Sequence, residues 1–380
     1  LTIILLLTVL AISAMGDSAD HWAVLVAGSN GFWNYRHQAD ICHAYHIMLK
    51  NGIPAEQIIV FAYDDIAQNP QNPIKGKVFN KPDGEDVYAG CQIDYKGADV
   101  TPSKFLSVLK GEGEGKVLKS TENSKVFINF SDHGAPGLIA FPSGYLYAED
   151  FHQALLGMNS KHMYKEMTIY IEACESGSMF SGILEDNINI YASTAANPTE
   201  SSWAYYCHPN DVVNGFHIGS CLGDEYSIKW MEDSEANDVC AETLAEQFTT
   251  VQQLTKDSHV MEYGFDGFKN EPIGNFQGTC DSKSSIRTFL RGVNTRVQPT
   301  KEYAAIDSRF AKLDYLYNKY MRTQAQEDAN ELEKELKNRR RIEQKFGSLR
   351  SQVNFELGQK QEISNWDCYK KLIESHDSSC

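Results

Sequence analysis

VFINFSDHG (126–134) and MTIYIEACESG (167–177) decide how the rest of the chain is read. Each starts as a short apolar run of strand length and ends in residues able to do chemistry: Asp132-His133-Gly134 in one, Glu172-Ala173-Cys174 in the other. Three further runs have the same character: WAVLVAG (22–28), QIIVFAY (57–63) and INIYA (188–192). Helix-length sequence lies between them. Ala39, Cys42, Ile47 and Leu49 fall near helical spacing in 37–51, which ends at Asn51-Gly52, a stop signal. Thr101 or Ser103 can cap a helix running to Leu109, and 67–97, rich in Asn, Pro and Gly, reads as a long loop or hairpin. Strands alternating with helices imply an α/β fold with a mostly parallel sheet covered on both faces. In such sheets ligands bind beyond the carboxyl ends of the strands. Both motifs lie there.

The chain has 380 residues, 42% of them hydrophobic and 11% aromatic, which excludes a wholly disordered polymer. A net charge of −16 argues against a general nucleic-acid binder. That charge is uneven: residues 300–380 carry 15 Lys/Arg and 14 Asp/Glu, so the acidity belongs to the body. The first 14 residues, LTIILLLTVLAISA, are too short for a membrane span of ~20 residues; they end in the small residue Ala14, with Gly16 and a polar stretch after it. This reads as the apolar region and cleavage site of a signal peptide whose start is missing, and it places the protein in the secretory pathway. Nine cysteines in that compartment imply disulfides with at least one thiol left over.

A thiol attacks as thiolate, and a nearby imidazole can take its proton. His133 and Cys174 are too far apart in sequence for a local motif, but adjacent parallel strands would bring their ends together. Pattern alone leaves a buried Cys and an unrelated His equally open. The surrounding strings carry the argument further: VAGSNGFWNYRHQADICHAYH (26–46), YDD (63–65), FSDHGAPG (130–137), YIEACESGSMF (170–180), STAANPTESSW (193–203) and GDEYSIKWMEDSE (223–235). Together they closely resemble the legumain, or asparaginyl endopeptidase, family over residues 22 to about 278, and the tail does so more loosely.

The resemblance implies a caspase-like three-layer sandwich, a cysteine endopeptidase cutting after Asn and more weakly after Asp in acid, and synthesis as a self-activating zymogen. Position by position it implies Cys174 as nucleophile, His133 as general base and acid, Asn34 as the residue that orients the imidazole, and an oxyanion hole from the backbone N–H groups of Gly134 and Cys174. For the specificity pocket it points to Arg36, His37, Glu172, Ser201 and Asp224. An Asn side chain offers one acceptor and an amide donor, which Arg36, Asp224 and Glu172 can answer. Partners implied are protein and peptide substrates and the chain's own C-terminal pro-domain as inhibitor. No metal, organic cofactor, nucleic acid or stable membrane insertion is implied. A lysosomal, vacuolar or secreted location follows. An asparaginyl peptide ligase using the same thioester is the alternative, since Ala135-Pro136 and Ala204 fall where plant relatives tune that balance. A non-catalytic binding protein and a membrane-tethered transamidase are rival readings.

The expected organisation is a signal segment over 1–16, a catalytic domain over 17–278, an activation linker over 279–300 and a helical pro-domain over 301–380. Asn294 in the linker is the candidate self-cleavage site, with Asn275 and Asp281 as weaker ones. The tail has an apolar stripe over 303–320 and a charged helix over 326–345, whose basic run KNRRRIEQK (337–345) is expected to face acidic groups around the pocket. The competing reading is a solvated helix held by i,i+4 pairs. Cys207 and Cys221 bracket an insert that plant members resemble, which implies a disulfide there; Cys368 and Cys380 resemble the start of the family's pro-domain pattern. Cys42, His43 and His46 read as a core cysteine with incidental histidines rather than a metal site. Asn129-Phe130-Ser131 is a sequon inside a core strand, where no glycan is expected. Ser176, Ser178 and Ser181 do not form a G-x-S-x-G elbow. Asp64-Asp65 reads as an acid–base pair or, equally, as a charged strand exit.

Overall fold

A computed structural model describes residues 20–280, 303–353, 363 and 365–378, with side chains outside 346–353 and 376–378. The leader run, Asp281, Asn294 and Cys380 lie outside the described residues.

Six strands form the central sheet: β1 (His21–Ala27), β2 (Ile58–Phe61), β3 (Lys125–Ser131), β4 (Glu166–Glu172), β5 (Ile190–Thr194) and β6 (Met261–Gly264). Their spatial order is β6-β5-β4-β3-β1-β2, parallel throughout except for β6. Because side chains alternate across a strand, β1 sends Trp22, Val24 and Val26 to one face and Ala23, Leu25 and Ala27 to the other. Helices α1 (Tyr35–Lys50), α4 (Glu225–Ala236) and α5 (Leu244–Leu254) cover one face. Helices α2 (Pro102–Leu109) and α3 (Ala148–Ser160) cover the other. The result is the expected three-layer α/β sandwich. The antiparallel edge β6 was not foreseen; its sequence, MEYG, has no apolar run to announce it.

Trp230 of α4 is fully buried, with its ring 5.9 Å from that of Phe127 and 5.7 Å from that of Tyr170. It fastens α4 to the middle of the sheet. Two disulfides brace loops the sequence left open: Cys42, read as a plain core cysteine, is bonded to Cys91, and Cys240 to Cys280. The first ties the long loop after β2 to α1. The neighbouring histidines are structural, His43 meeting Asn80 and Glu235 and His46 the Val87 carbonyl. Asn129 is buried in β3, and Asp64 and Asp65 are spent on Lys96, Tyr88, Gln38 and the Gly31 amide.

The tail folds as α6 (Ala311–Thr323), α7 (Gln326–Val353) and α8 (Trp366–Ser378). Two expectations change here. The apolar stripe over 303–320 is not one helix: Ile306–Asp307 is extended and pairs antiparallel with Trp203–Tyr205, and α6 starts only at Ala311. An unpaired strand edge on the body satisfies those backbone groups where a helix turn would have done so. In the basic run, Lys337 pairs with Glu333 and Arg339 with Glu335 on the same helix, as the i,i+4 reading has it, and Arg339 also donates to the Arg309 carbonyl, so the run contacts the strand before α6 rather than any carboxylate of the body among the described ion pairs.

Trp230→Ala should lower unfolding stability by ~3–5 kcal/mol, read from the denaturant midpoint at unchanged m-value. A loss below ~1 kcal/mol would show that α4 is not held through this ring.

Candidate active site

β3 and β4 are parallel neighbours in a register that sets Ser131 opposite Glu172. His133 and Cys174 each follow two residues later, so the register delivers both to the same end of the sheet. The exits stay joined, the Asp132 amide donating to the Glu172 carbonyl at 3.0 Å. A Cβ at Gly134 would sit 2.2 Å from the Cys174 carbonyl oxygen and 3.1 Å from the Ala173 methyl. Only glycine lets these two segments touch.

Asn34 precedes the first turn of α1, where an Asn usually caps its own helix; here its side chain makes no cap bond. Instead its Oδ1 lies 2.9 Å from His133 Nε2, while its Nδ2 donates to the Asn30 carbonyl at 2.9 Å and so fixes which way the amide points. Oδ1 is only an acceptor, which places the proton on Nε2 and leaves the Nδ1 lone pair of His133 for another proton. Trp33 stacks on the imidazole at 5.1 Å and His37 meets its edge at 5.1 Å. Burial, with Arg36 nearby, holds His133 well below the ordinary histidine range. Burial raises the Cys174 thiol, against contacts from Ser202 that lower it; its Sγ is 3.8 Å from Ser202 Oγ. Both shifts favour the uncharged forms. The resting pair is thiol and neutral imidazole.

Beside it lies a buried charged pocket. Arg36 is fully buried and its Nε donates to Asp224 Oδ1 at 2.7 Å. Glu172 Oε2 accepts from the amide and hydroxyl of Ser227 at 2.8 and 3.0 Å. His37 Nδ1 is 2.6 Å from Ser29 Oγ and 3.2 Å from Asp132 Oδ1. Ser201 is buried alongside in sequence next to Ser202. Burial raises Glu172 and Asp224 above the usual carboxylate range, and Arg36 pulls Asp224 back down. Four polar atoms here are buried with no hydrogen-bond partner: Arg36 Nη2, a donor, Glu172 Oε1, an acceptor, and also His37 Nε2 and Asp132 Oδ1, which face charged neighbours instead. The structure thus brings Asn34, Arg36, His37, His133, Gly134, Glu172, Cys174 and Asp224 to one end of the sheet.

Residues 21–279 match the family described as the Peptidase C13 family. The chain belongs to it. Over 387 residues it is 39% identical to a vacuolar-processing enzyme of Vicia sativa, covering 94% of this chain and 78% of that one. It is 40% identical to the legumain of Homo sapiens over 382 residues, covering 96% of this chain and 84% of that one. Identity to the legumain of Mus musculus is 50% over 276 residues, 71% of this chain and 62% of that one. A solved structure titled caspase-1 from Spodoptera frugiperda aligns with 66% of this chain and 91% of its own at 10% identity, with a TM-score of 0.38. The fold therefore rests on the sheet and the family match. This C13 peptidase is a cysteine-type endopeptidase.

Three neighbours of the site escaped the sequence reading. Asp40, one turn after Arg36 on α1, takes hydrogen bonds from Asn80 at 2.7 Å and Ser131 at 3.1 Å. A polar 36-37-40 face inside an otherwise apolar helix was its available signal. Trp33 and Ser202 had none, because stacking on His133 and contact with Cys174 arise only in three dimensions. The Cys207–Cys221 bond is present and pins the insert next to the Gly223–Asp224 strand that carries Asp224.

Gly134→Ala should cut thiol-probe labelling of Cys174 and kcat/KM by at least ~100-fold while far-UV circular dichroism stays unchanged. Near-wild-type labelling would show that the two exits need not touch.

Proposed function

We propose that this C13 peptidase cleaves peptide bonds after Asn, and more weakly after Asp in acid, and that it is held inactive by its own tail. The orphan pair in the pocket carries the specificity reading. A carboxamide presents an acceptor oxygen to Arg36 Nη2 and an N–H to Glu172 Oε1, a complementary donor and acceptor among the buried atoms without partners. A leucine would leave both unpaired, a penalty of the kind that rejects analogues by ~10⁴-fold. An ionised Asp would meet Glu172 and Asp224 as a like charge; protonated, near or below ~4, it can imitate Asn.

His133, anchored through Nε2 on Asn34, takes the Cys174 proton at Nδ1 as the sulfur attacks the scissile carbonyl carbon. The oxyanion is met by the backbone N–H groups of Gly134 and Cys174. As the C–N bond breaks, the protonated imidazole gives its proton to the leaving amine. Water, deprotonated by His133, then opens the thioester, releasing the acid and restoring the thiol.

The tail lies where a substrate would run. Ile306 and Asp307 pair with Ala204 and Trp203, and the Ser308 amide donates to the Ser202 carbonyl at 3.0 Å. Arg309 forms an ion pair with Glu175, the residue after the nucleophile. Behind this strand Arg339 donates to the Arg309 carbonyl at 2.8 Å and stands over the Phe310 ring. Glu335 holds Arg339 at 2.9 Å and Lys312 of α6 at 2.9 Å. Burial pushes Glu335 up, but Lys312 and Arg339 outweigh it and leave it below its ordinary value. A depressed carboxylate stabilises the packing of α6 and α7 behind the strand above its unfolded value near ~4.3, and that support is lost as pH falls through the lower folded value. Acid therefore loosens the strap. This fits an acidic compartment on the secretory route, in line with relatives named vacuolar-processing enzymes. Cleavage after Asn294 would make the release permanent.

After acid activation, peptides differing only at the residue before the cut should give Asn over Leu by at least ~10³-fold in kcat/KM. Equal cleavage after Leu or Arg would contradict the pocket assignment. Glu335→Gln removes the charge at every pH, so the onset of peptidase activity on acid titration should move to higher pH. An unshifted onset would take Glu335 out of the release step.

A further inference from the structure

His208, Asp211 and His217 belong to the disulfide-bracketed insert between Cys207 and Cys221, away from the catalytic dyad. Asp211 is buried, and the two imidazoles converge on one of its oxygens: His217 Nδ1 lies 2.8 Å and His208 Nδ1 3.5 Å from Oδ1. The other oxygen is already used, accepting from the Gly219 amide at 2.7 Å. The two rings stand 5.0 Å apart between centroids, and one ligand atom from each of the three residues falls within 4.8 Å of the others.

A hydrogen-bonded staple for this hairpin needs one imidazole on Asp211, and His217 already supplies it. The second ring turned onto the same oxygen is what a staple does not explain. Ligands at ~2.0–2.1 Å from a tetrahedral ion sit roughly 3.3 Å from one another. The observed 2.8 and 3.5 Å bracket that spacing. Two imidazoles with one carboxylate suit zinc or copper and not calcium or magnesium, which prefer an all-oxygen shell. Both histidines are about two-fifths exposed, so an ion can enter and a water can complete the set.

We propose that His208, Asp211 and His217 form a binding site for a divalent transition-metal ion of the zinc class. The site is structural and lies on the seam with the tail. The Cys207 amide donates to the Ala304 carbonyl, Asn210 Oδ1 accepts from the Ala304 amide at 2.8 Å, and Gly219 packs against Arg322 of α6. An ion here stiffens the loop on which the start of the tail strand rests. Binding at Nδ1 leaves the proton of each neutral ring on Nε2, so only a ring that starts as imidazolium gives up a proton as the ion enters. The site does not depend on the proposed cleavage specificity.

The test uses Zn²⁺ alone, titrated calorimetrically at neutral pH into the full chain carrying Cys174→Ala and Cys368→Ser, which removes the two free thiols among the described residues. One Zn²⁺ per chain should bind, and His208→Asn, His217→Asn and Asp211→Asn should each weaken it by at least ~100-fold. Asp211→Asn keeps an acceptor for the Gly219 amide, and near-ultraviolet circular dichroism checks that each variant is folded. Absence of binding in the parent, or equal affinity in the folded variants, would overturn the proposal.

Discussion

Arg36 is the charge on which the site depends. A guanidinium with no exposed surface cannot persist alone, and its partner Asp224 is buried equally deeply. Around the pair stand Asp40, Asp132 and Glu172, all pushed up by burial into a range where they share protons more readily than surface carboxylates. Arg36 comes from α1, Asp224 from a short strand before α4, Asp40 from the next turn of α1, and Glu172 from the end of β4. The ion pair therefore ties α1 to the strand before α4 at the carboxyl edge of the sheet, beside the end of β4. Left without hydrogen bonds are one guanidinium nitrogen, one Glu172 oxygen, one Asp132 oxygen and one imidazole nitrogen of His37. Leaving buried polar atoms so costs stability.

The dyad is built on a different principle. Its position comes from strand register and from one glycine, and its protonation from burial. Burial lowers His133 and raises Cys174, so both groups are pushed toward their neutral forms. Strand pairing at Trp203–Tyr205 is the common element. Ile306–Ser308 lies along that edge, its Ser308 amide on the carbonyl of Ser202, whose hydroxyl neighbours Cys174 Sγ. The same hydrogen-bonding edge suits an extended substrate, since pairing along an open strand takes any sequence and leaves selectivity to the pocket.

Much of this was legible because it is local or periodic. The apolar runs before Asp132-His133-Gly134 and Glu172-Ala173-Cys174 mark two strands, and parallel pairing brings residues 41 apart side by side. What hid from the sequence is what depends on partners far along the chain. MEYG becomes a strand only because β5 offers an edge. Ile306 and Asp307 fall in a run with helical spacing yet lie extended, since pairing with Ala204 and Trp203 outweighs a weak local preference. Cys42 looked like an ordinary core residue because Cys91 lies in a loop with no pattern of its own. The basic face of α7 suggested a target on the acidic body, whereas its nearest carboxylates, one turn back on the same helix, were sufficient.

We propose that Cys174 is a nucleophile whose pocket reads a carboxamide and whose access is closed by the tail strand. This is tested most directly by intact and peptide mass spectrometry after exposure to peptidyl electrophiles ending in Asn or in Leu. The full chain at neutral pH should remain unmodified. After acid treatment the Asn reagent alone should add one equivalent, located on the peptide containing Cys174. Equal modification by the Leu reagent, attachment at Cys368, or full labelling before acid treatment would contradict the account.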